Sequence, residues 1–213
     1  MYFGEQSLST GTAFFWEVDG QLYLVTAWRC LSGRHFQTNK HLSRTAAEPD
    51  RIGVWWNLDL RPVGQKGTSV IPIKDDDGEP LWLVHPERGS DVDVAMLPVR
   101  CPGDAVAYPI NKLPSDWVPL SIGRDVFILG FPLGIEGVRL PIWKRASLAS
   151  EWQILDSVQP YWLVDTASRP GMSGSPVIQR VYPYEPERGK VRDYGDNGKT
   201  QFVGVCSGRR QRR

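Results

Sequence analysis

The chain has 213 residues, 41% of them hydrophobic and 23% charged, with a formal net charge of +1, a composition that excludes a disordered chain and describes a globular one. The near-neutral balance gives no global reason to expect nucleic acid or an acidic partner. No run approaches the roughly 20 apolar residues that cross a bilayer, so no membrane segment is expected.

Strand signals dominate from the start. Gly11 to Val18 and Gln21 to Ala27 are short aromatic and β-branched runs, split by Asp19-Gly20, a strong hairpin turn. Arg51 to Leu58, Leu81 to His85 and Val92 to Val99 continue the pattern. Asp75-Asp76-Asp77-Gly78 is read as a solvated turn, because the ligand spacing of a calcium loop is absent. From Cys101 to Asp116 the chain turns rich in proline, glycine and asparagine and reads as a connection between two halves. Strands resume at Asp125 to Leu129, Trp143 to Leu148, Tyr161 to Asp165, Ser175 to Val181 and Gln201 to Cys206. The polar stretch 182–200, which contains Asp196-Asn197-Gly198, is expected to form a long hairpin loop. Many short strands with turns between them, and almost no helical periodicity, point to an all-β barrel or sandwich.

Cys30, Cys101 and Cys206 are an odd number at wide spacings, with no CxxC or Cys/His cluster. Neither a metal site nor a disulfide framework is therefore expected, and reduced thiols are the simpler reading. The N-terminal stretch lacks the charged start and apolar run of a signal peptide, so the expected location is cytoplasmic. Nine tryptophans favour a core packed with large rings, although a binding surface would use them too.

The sharpest chemical signal is Arg169-Pro170-Gly171-Met172-Ser173-Gly174-Ser175-Pro176-Val177. A serine flanked by glycines just before a strand can expose its hydroxyl at a tight turn, with the Gly171 and Ser173 amides facing a developing oxyanion. This is not the GxSxG elbow of α/β-hydrolases, because a strand follows rather than a helix. Two further blocks precede it. Val25-Thr26-Ala27-Trp28-Arg29-Cys30 ends an early strand, and Asp93-Val94-Ala95-Met96-Leu97 places a carboxylate at the start of a later one.

In this order the blocks resemble those of the chymotrypsin/trypsin-like serine peptidases, most closely the bacterial, intracellular, disulfide-free branch. That family carries VTA-x-H-C, D-[IV]-A-[LM]-L and G-x-S-G-[GS]-P-[VL]. Gly11-Thr12-Ala13-Phe14 resembles its first strand, Gly130-Phe131-Pro132 a familiar turn, and Val203 to Gly208 the strand along which substrate backbone pairs. The resemblance implies two antiparallel six-stranded β-barrels with the site between them: 1–100, a linker over 101–117, and 118–213. It implies a serine endopeptidase acting on protein or peptide substrates without a metal or organic cofactor. Ser173 takes the nucleophile's position, Asp93 that of the orienting carboxylate, and Gly171 and Ser173 supply the oxyanion hole. Ala167 stands at the floor of the S1 pocket, where a small uncharged side chain would fit, and Val205 and Ser207 lie on the substrate-pairing strand.

Arg29 stands where the family has its catalytic histidine. Arginine has no acceptor lone pair and stays protonated, so it cannot serve as a general base, and a bidentate ion pair with Asp93 is expected instead. His35, His41 and His85 are read as ordinary polar residues rather than replacement bases. The sequence thus points to a peptidase domain that is inactive or very weak, or to a pseudoprotease that binds peptides. Met172 cannot pair with a cleaved N-terminus, so control by a regulatory protein partner is expected. The chain stops at Arg213, short of the family's terminal strand and helix, which makes the second barrel look incomplete. The Arg209 to Arg213 tail is read as a solvated end rather than a nucleic-acid contact.

Overall fold

The computed structural model describes residues 1–58, 66–115, 117–134, 140–151, 161–167, 169–181, 184–187, 190–193 and 198–207; for 184–187 and 190–193 it describes the backbone alone. The fold is all-β. The first half holds β1 (Tyr2–Phe3), β2 (Gln6–Ser7), β3 (Phe14–Val18), β4 (Gln21–Thr26), β5 (Arg51–Leu58), β6 (Lys66–Pro72) and β7 (Ala95–Val99). The connection contributes β8 (Ala105–Val106), and the second half holds β9 (Asp125–Gly130), β10 (Ile142–Leu148), β11 (Val164–Asp165), β12 (Pro176–Val181), β13 (Tyr184–Glu187), β14 (Lys190–Asp193) and β15 (Lys199–Val205). One short helix, α1 (Trp28–Ser32), follows β4.

Period-two burial explains the strands. In β5, Ile52, Val54 and Trp56 are buried while Arg51, Gly53 and Trp55 face out. These three join Leu24, Leu31, Ile73, Trp82, Ala95, Leu97 and Val99 in one core. A second core gathers Val126, Ile128, Ala146, Met172 and Val177. Asp19 and Gly20 both take positive φ, the turn their sequence predicts, and set the β3–β4 register at Phe14 opposite Val25.

Pairing is antiparallel throughout the described strands. The ladders run β2-β1-β5-β6 with β8 on β5, β3-β4-β7, β11-β10-β9-β12-β15, and β13-β14. These are open sheets among the described residues, and the strand pairing does not by itself close two six-stranded barrels.

Several boundaries differ from expectation for physical reasons. Leu81 to His85 is no strand: only Trp82 turns inward, Leu81, Leu83 and Val84 are exposed, and Leu83 makes an isolated bridge to Met96. The hairpin partner of β5 is instead β6, whose Lys-Gly-Thr-Ser start hid it from a hydrophobic pattern. The segment after Cys101, read as a connection, is bound to neighbouring strands. Its β8 pairs with Asn57 and Leu58, and the Asn111 side chain bonds the backbone of Glu17 as both donor and acceptor. The stretch 182–200 contains the β13–β14 hairpin. The Arg209 to Arg213 tail lies outside the described residues.

Candidate active site

Strand register brings the site together. Antiparallel pairing sets Thr26, the last residue of β4, opposite Ala95, the first of β7. Arg29, three residues beyond the one, and Asp93, two before the other, must therefore meet at the same sheet end. On the other side, Pro176 at the start of β12 pairs with Val205 at the end of β15. That register puts the Ser173 loop beside Ser207. The Gly174 amide donates to the Cys206 carbonyl at 2.8 Å, and the Cys206 amide to the Ser175 carbonyl at 2.8 Å.

The three residues of the sequence blocks form a linear network. The Arg29 amide donates to Asp93 Oδ1 at 3.0 Å, Nη1 to Asp93 Oδ2 at 2.9 Å, and Nη2 to Ser173 Oγ at 2.6 Å. Ser207 Oγ donates to Asp93 Oδ2 at 2.7 Å. The expected bidentate pair is thus corrected in one respect: the guanidinium fork divides, one arm to the carboxylate and one to the serine. Trp28 to Ser32 form a helical turn closed by Gly33, and this turn aims the Arg29 amide at Asp93.

The Arg29 side chain is 14% exposed and that of Asp93 only 1%. Burial pushes the Asp93 carboxyl above its ordinary range, while the Arg29 guanidinium, the Arg29 amide and the Ser207 hydroxyl pull it back. Three donors converge on the carboxyl and oppose the effect of burial without cancelling it. The neighbouring Cys30 thiol is fully buried, and burial pushes it up to about 11.

Thr12, which the sequence offered only as part of a strand, ties the halves together. Its amide donates to the Ser173 carbonyl at 2.9 Å and its Oγ1 to the Gly171 carbonyl at 2.8 Å. The same Oγ1 accepts from the Phe131 amide at 3.0 Å, and the Thr12 carbonyl accepts from Thr26 Oγ1 at 2.7 Å. The signal in the sequence was a pair of threonines, Thr12 and Thr26, at the ends of otherwise apolar runs, and both are buried. A buried hydroxyl must find partners.

Gly171 and Gly174 both hold positive φ, 90° and 84°. A Cβ on Gly171 would strike the Phe131 carbonyl, and one on Gly174 the Thr12 carbonyl and Thr26 Oγ1. Only glycine fits either place. The Gly171 and Ser173 amides donate to no carbonyl or side chain among the described residues.

A cavity of about 430 Å³ abuts the network, lined in part by Asp93, Trp162, Val164, Met172, Val205 and Ser207. Val205 and Ser207, expected beside the substrate, do line it. Ala167 does not: it is exposed and lies outside the lining, which Thr166 joins in its place. The hydrogen bonds of the three histidines go elsewhere, although the charge of His35 reaches Asp93. His35 Nδ1 accepts from the Gln37 amide, His41 stands 3.5 Å from Glu48, and His85 Nδ1 accepts from the Glu87 and Arg88 amides. Among the described residues, none shares a hydrogen bond with Ser173. No group of three metal-ligating side chains occurs among them either, and no helix is long and apolar enough to cross a membrane.

A family model described as a trypsin-like peptidase domain matches residues 11–181. The match spans all three blocks, from Gly11 beside Thr12 to the end of β12. No curated protein matches the chain.

Proposed function

The chain belongs to the trypsin-like peptidase domain family, and from that premise we propose that its site is a serine endopeptidase centre with every part in place except the base. Ser173 is the nucleophile, Asp93 the orienting carboxylate, and the Gly171 and Ser173 amides the oxyanion hole. Arg29 occupies the position of the general base.

The observation that carries this reading is the direction of one hydrogen bond. Peptide cleavage begins when Ser173 Oγ attacks the carbonyl carbon and its proton passes to a neighbouring base. Arg29 Nη2 donates to that Oγ, and a guanidinium has no lone pair with which to take the proton. The alkoxide, the tetrahedral intermediate and the protonated leaving amine are all out of reach by this route. Loss of the histidine in a serine–histidine unit lowers turnover on the order of 10⁶-fold, leaving roughly 10³ over water from the oxyanion hole and binding. As it stands the domain cleaves peptides negligibly and holds them in its cleft.

Three free cysteines, Cys30, Cys101 and Cys206, fit the disulfide-free branch of the family, and Met172, which cannot pair with a cleaved N-terminus, motivates control by a protein partner. The test is labelling of Ser173 by a fluorophosphonate in the chain as it is and in Arg29→His. Labelling that appears with histidine and vanishes with the further change Ser173→Ala is expected. A folded Arg29→His protein that stays unlabelled would overturn the reading.

A further inference from the structure

We infer that this site holds a peptide by its free C-terminal carboxylate, with Arg29 Nη2 and the Gly171 and Ser173 amides as the donors. The inference rests on the assignment of the Ser173 loop proposed above and adds the chemical class of ligand that the loop and Arg29 take together.

Charge is the first argument. A neutral imidazole beside Asp93 leaves the site with a net charge of one carboxylate, which repels a second one. Arg29 beside Asp93 brings the sum to zero and removes that repulsion at every pH where peptides are handled. The guanidinium is also only partly committed. Of its five N–H groups, Asp93 takes one and Ser173 another, and 14% of the side chain stays open.

Donor and acceptor matching is the second argument. A terminal carboxylate has two oxygens, both acceptors. One can sit against the Gly171 and Ser173 amides, which have no acceptor among the described residues, while the other accepts from Arg29 at the place where Nη2 now meets Ser173 Oγ. An internal peptide bond, or an amidated terminus, offers one carbonyl oxygen and an N–H group. That N–H would face the Arg29 N–H groups, donor against donor, with no acceptor to relieve it. The site therefore discriminates a chain end from a chain middle, which is the reverse of what an endopeptidase needs.

The third argument is room for the ligand's body. The cavity borders the network through Asp93, Met172 and Ser207, and Trp162, Val164 and Val177 give it an apolar wall. Asp91 and Lys144 also line it, so apolar side chains near the peptide's end fit the Trp162 wall and not the whole lining.

The test uses a pool of N-acetylated hexapeptides randomised at the last four positions, made once as free acids and once as C-terminal amides. Retention of each pool on the immobilised chain is measured from pH 6 to 9, beside Arg29→Gln and Arg29→His, with the denaturation midpoint of each variant. The expected result is retention of acids at least ~10-fold over amides, flat across that pH range because arginine does not titrate there, and lost in Arg29→Gln. Arg29→His keeps the preference only at the acidic end, as its imidazole protonates near 6.5, and this arm decides the matter if Arg29→Gln does not fold. Equal retention of both pools, or retention of neither, would overturn the inference. Fluorophosphonate labelling of Arg29→His is scored separately: labelling without an acid preference removes this inference alone, and a folded variant that stays unlabelled removes the peptidase reading itself.

Discussion

Arg29 Nη2 lies 2.6 Å from Ser173 Oγ and donates to it, so the hydrogen bond that should carry a proton away from the serine instead delivers one toward it. Under the proposed reading, the serine thus faces a donor where catalysis needs an acceptor. The predictions separate the placement of these side chains from the chemistry they can perform.

Restoring the base should bring a pH dependence with it. In Arg29→His, fluorophosphonate labelling rises with pH through the imidazole's titration, around 6.5 to 7, because the neutral ring is the competent form and Asp93 beside it favours the charged one. The unaltered chain shows no such rise. A labelling rate in Arg29→His that falls with increasing pH would contradict the role.

Asp93→Ala should destabilise the fold strongly. It strips the carboxylate from a guanidinium that is mostly buried, and it leaves the Ser207 hydroxyl without its acceptor. Removing one partner of a buried pair costs about 3–5 kcal/mol; the partial exposure of Arg29 sets the lower end. Urea denaturation should show a lower midpoint at unchanged slope. Ser207→Ala, which leaves the pair intact, should cost about 1 kcal/mol.

Thr12→Val keeps the shape of the side chain and removes the Oγ1 that serves Gly171 and Phe131. A loss of about 1–3 kcal/mol is expected from the stranded amide and carbonyl. In the Arg29→His background the same change should slow serine labelling at least several-fold, because the Gly171 peptide is no longer held. Thr12→Ser should recover most of both losses. Slow labelling with Thr12→Ser as well would assign the effect to packing instead.

Cys30 should make stability fall in alkali. Its thiol is raised to about 11, so the folded chain keeps a proton that the unfolded chain releases near 8.5 to 9. Stability is unaffected below that range and drops as pH climbs from about 9 toward 11, by on the order of 2 kcal/mol. The measurement is the difference in denaturation midpoint between the chain and Cys30→Ala at pH 8 and at pH 10.5. A difference that does not change between the two would remove the thiol as the cause. Iodoacetamide at pH 8 should likewise spare Cys30 in the folded protein.

The legible part of the fold was the part written in short-range chemistry. Arg51 to Leu58 alternates strictly and folds as read, and Asp19-Gly20 makes its hairpin because two residues suffice to specify that turn. Leu81 to His85 looked like a strand because four of its five residues are apolar or aromatic, yet pattern alone does not say that three of them stay exposed. The β6 strand was invisible for the opposite reason: its identity comes from its partner β5 rather than from its own side chains. At the site, the resemblance of the three blocks to the serine peptidases was enough to foresee that Arg29, Asp93 and Ser173 belong together. It did not foresee the divided guanidinium, because whether both arms turn to Asp93 depends on where Ser173 sits across the cleft. Thr12 escaped for the same reason, since all of its partners but one lie more than a hundred residues away in the chain.

The divided fork of Arg29 also bears on how such a site is inherited. Asp93 receives from arginine a bond of the kind an imidazole N–H would give it, and Ser173 keeps a hydrogen-bonding neighbour, although one that donates where an imidazole would accept, so neither side chain is left without a partner. The scaffold is under no pressure from its own stability to forget the reaction. Arginine and histidine codons can differ by a single transition, CGC against CAC. Where Arg29 is written CGC or CGT, one nucleotide separates this arrangement from one with histidine between Asp93 and Ser173.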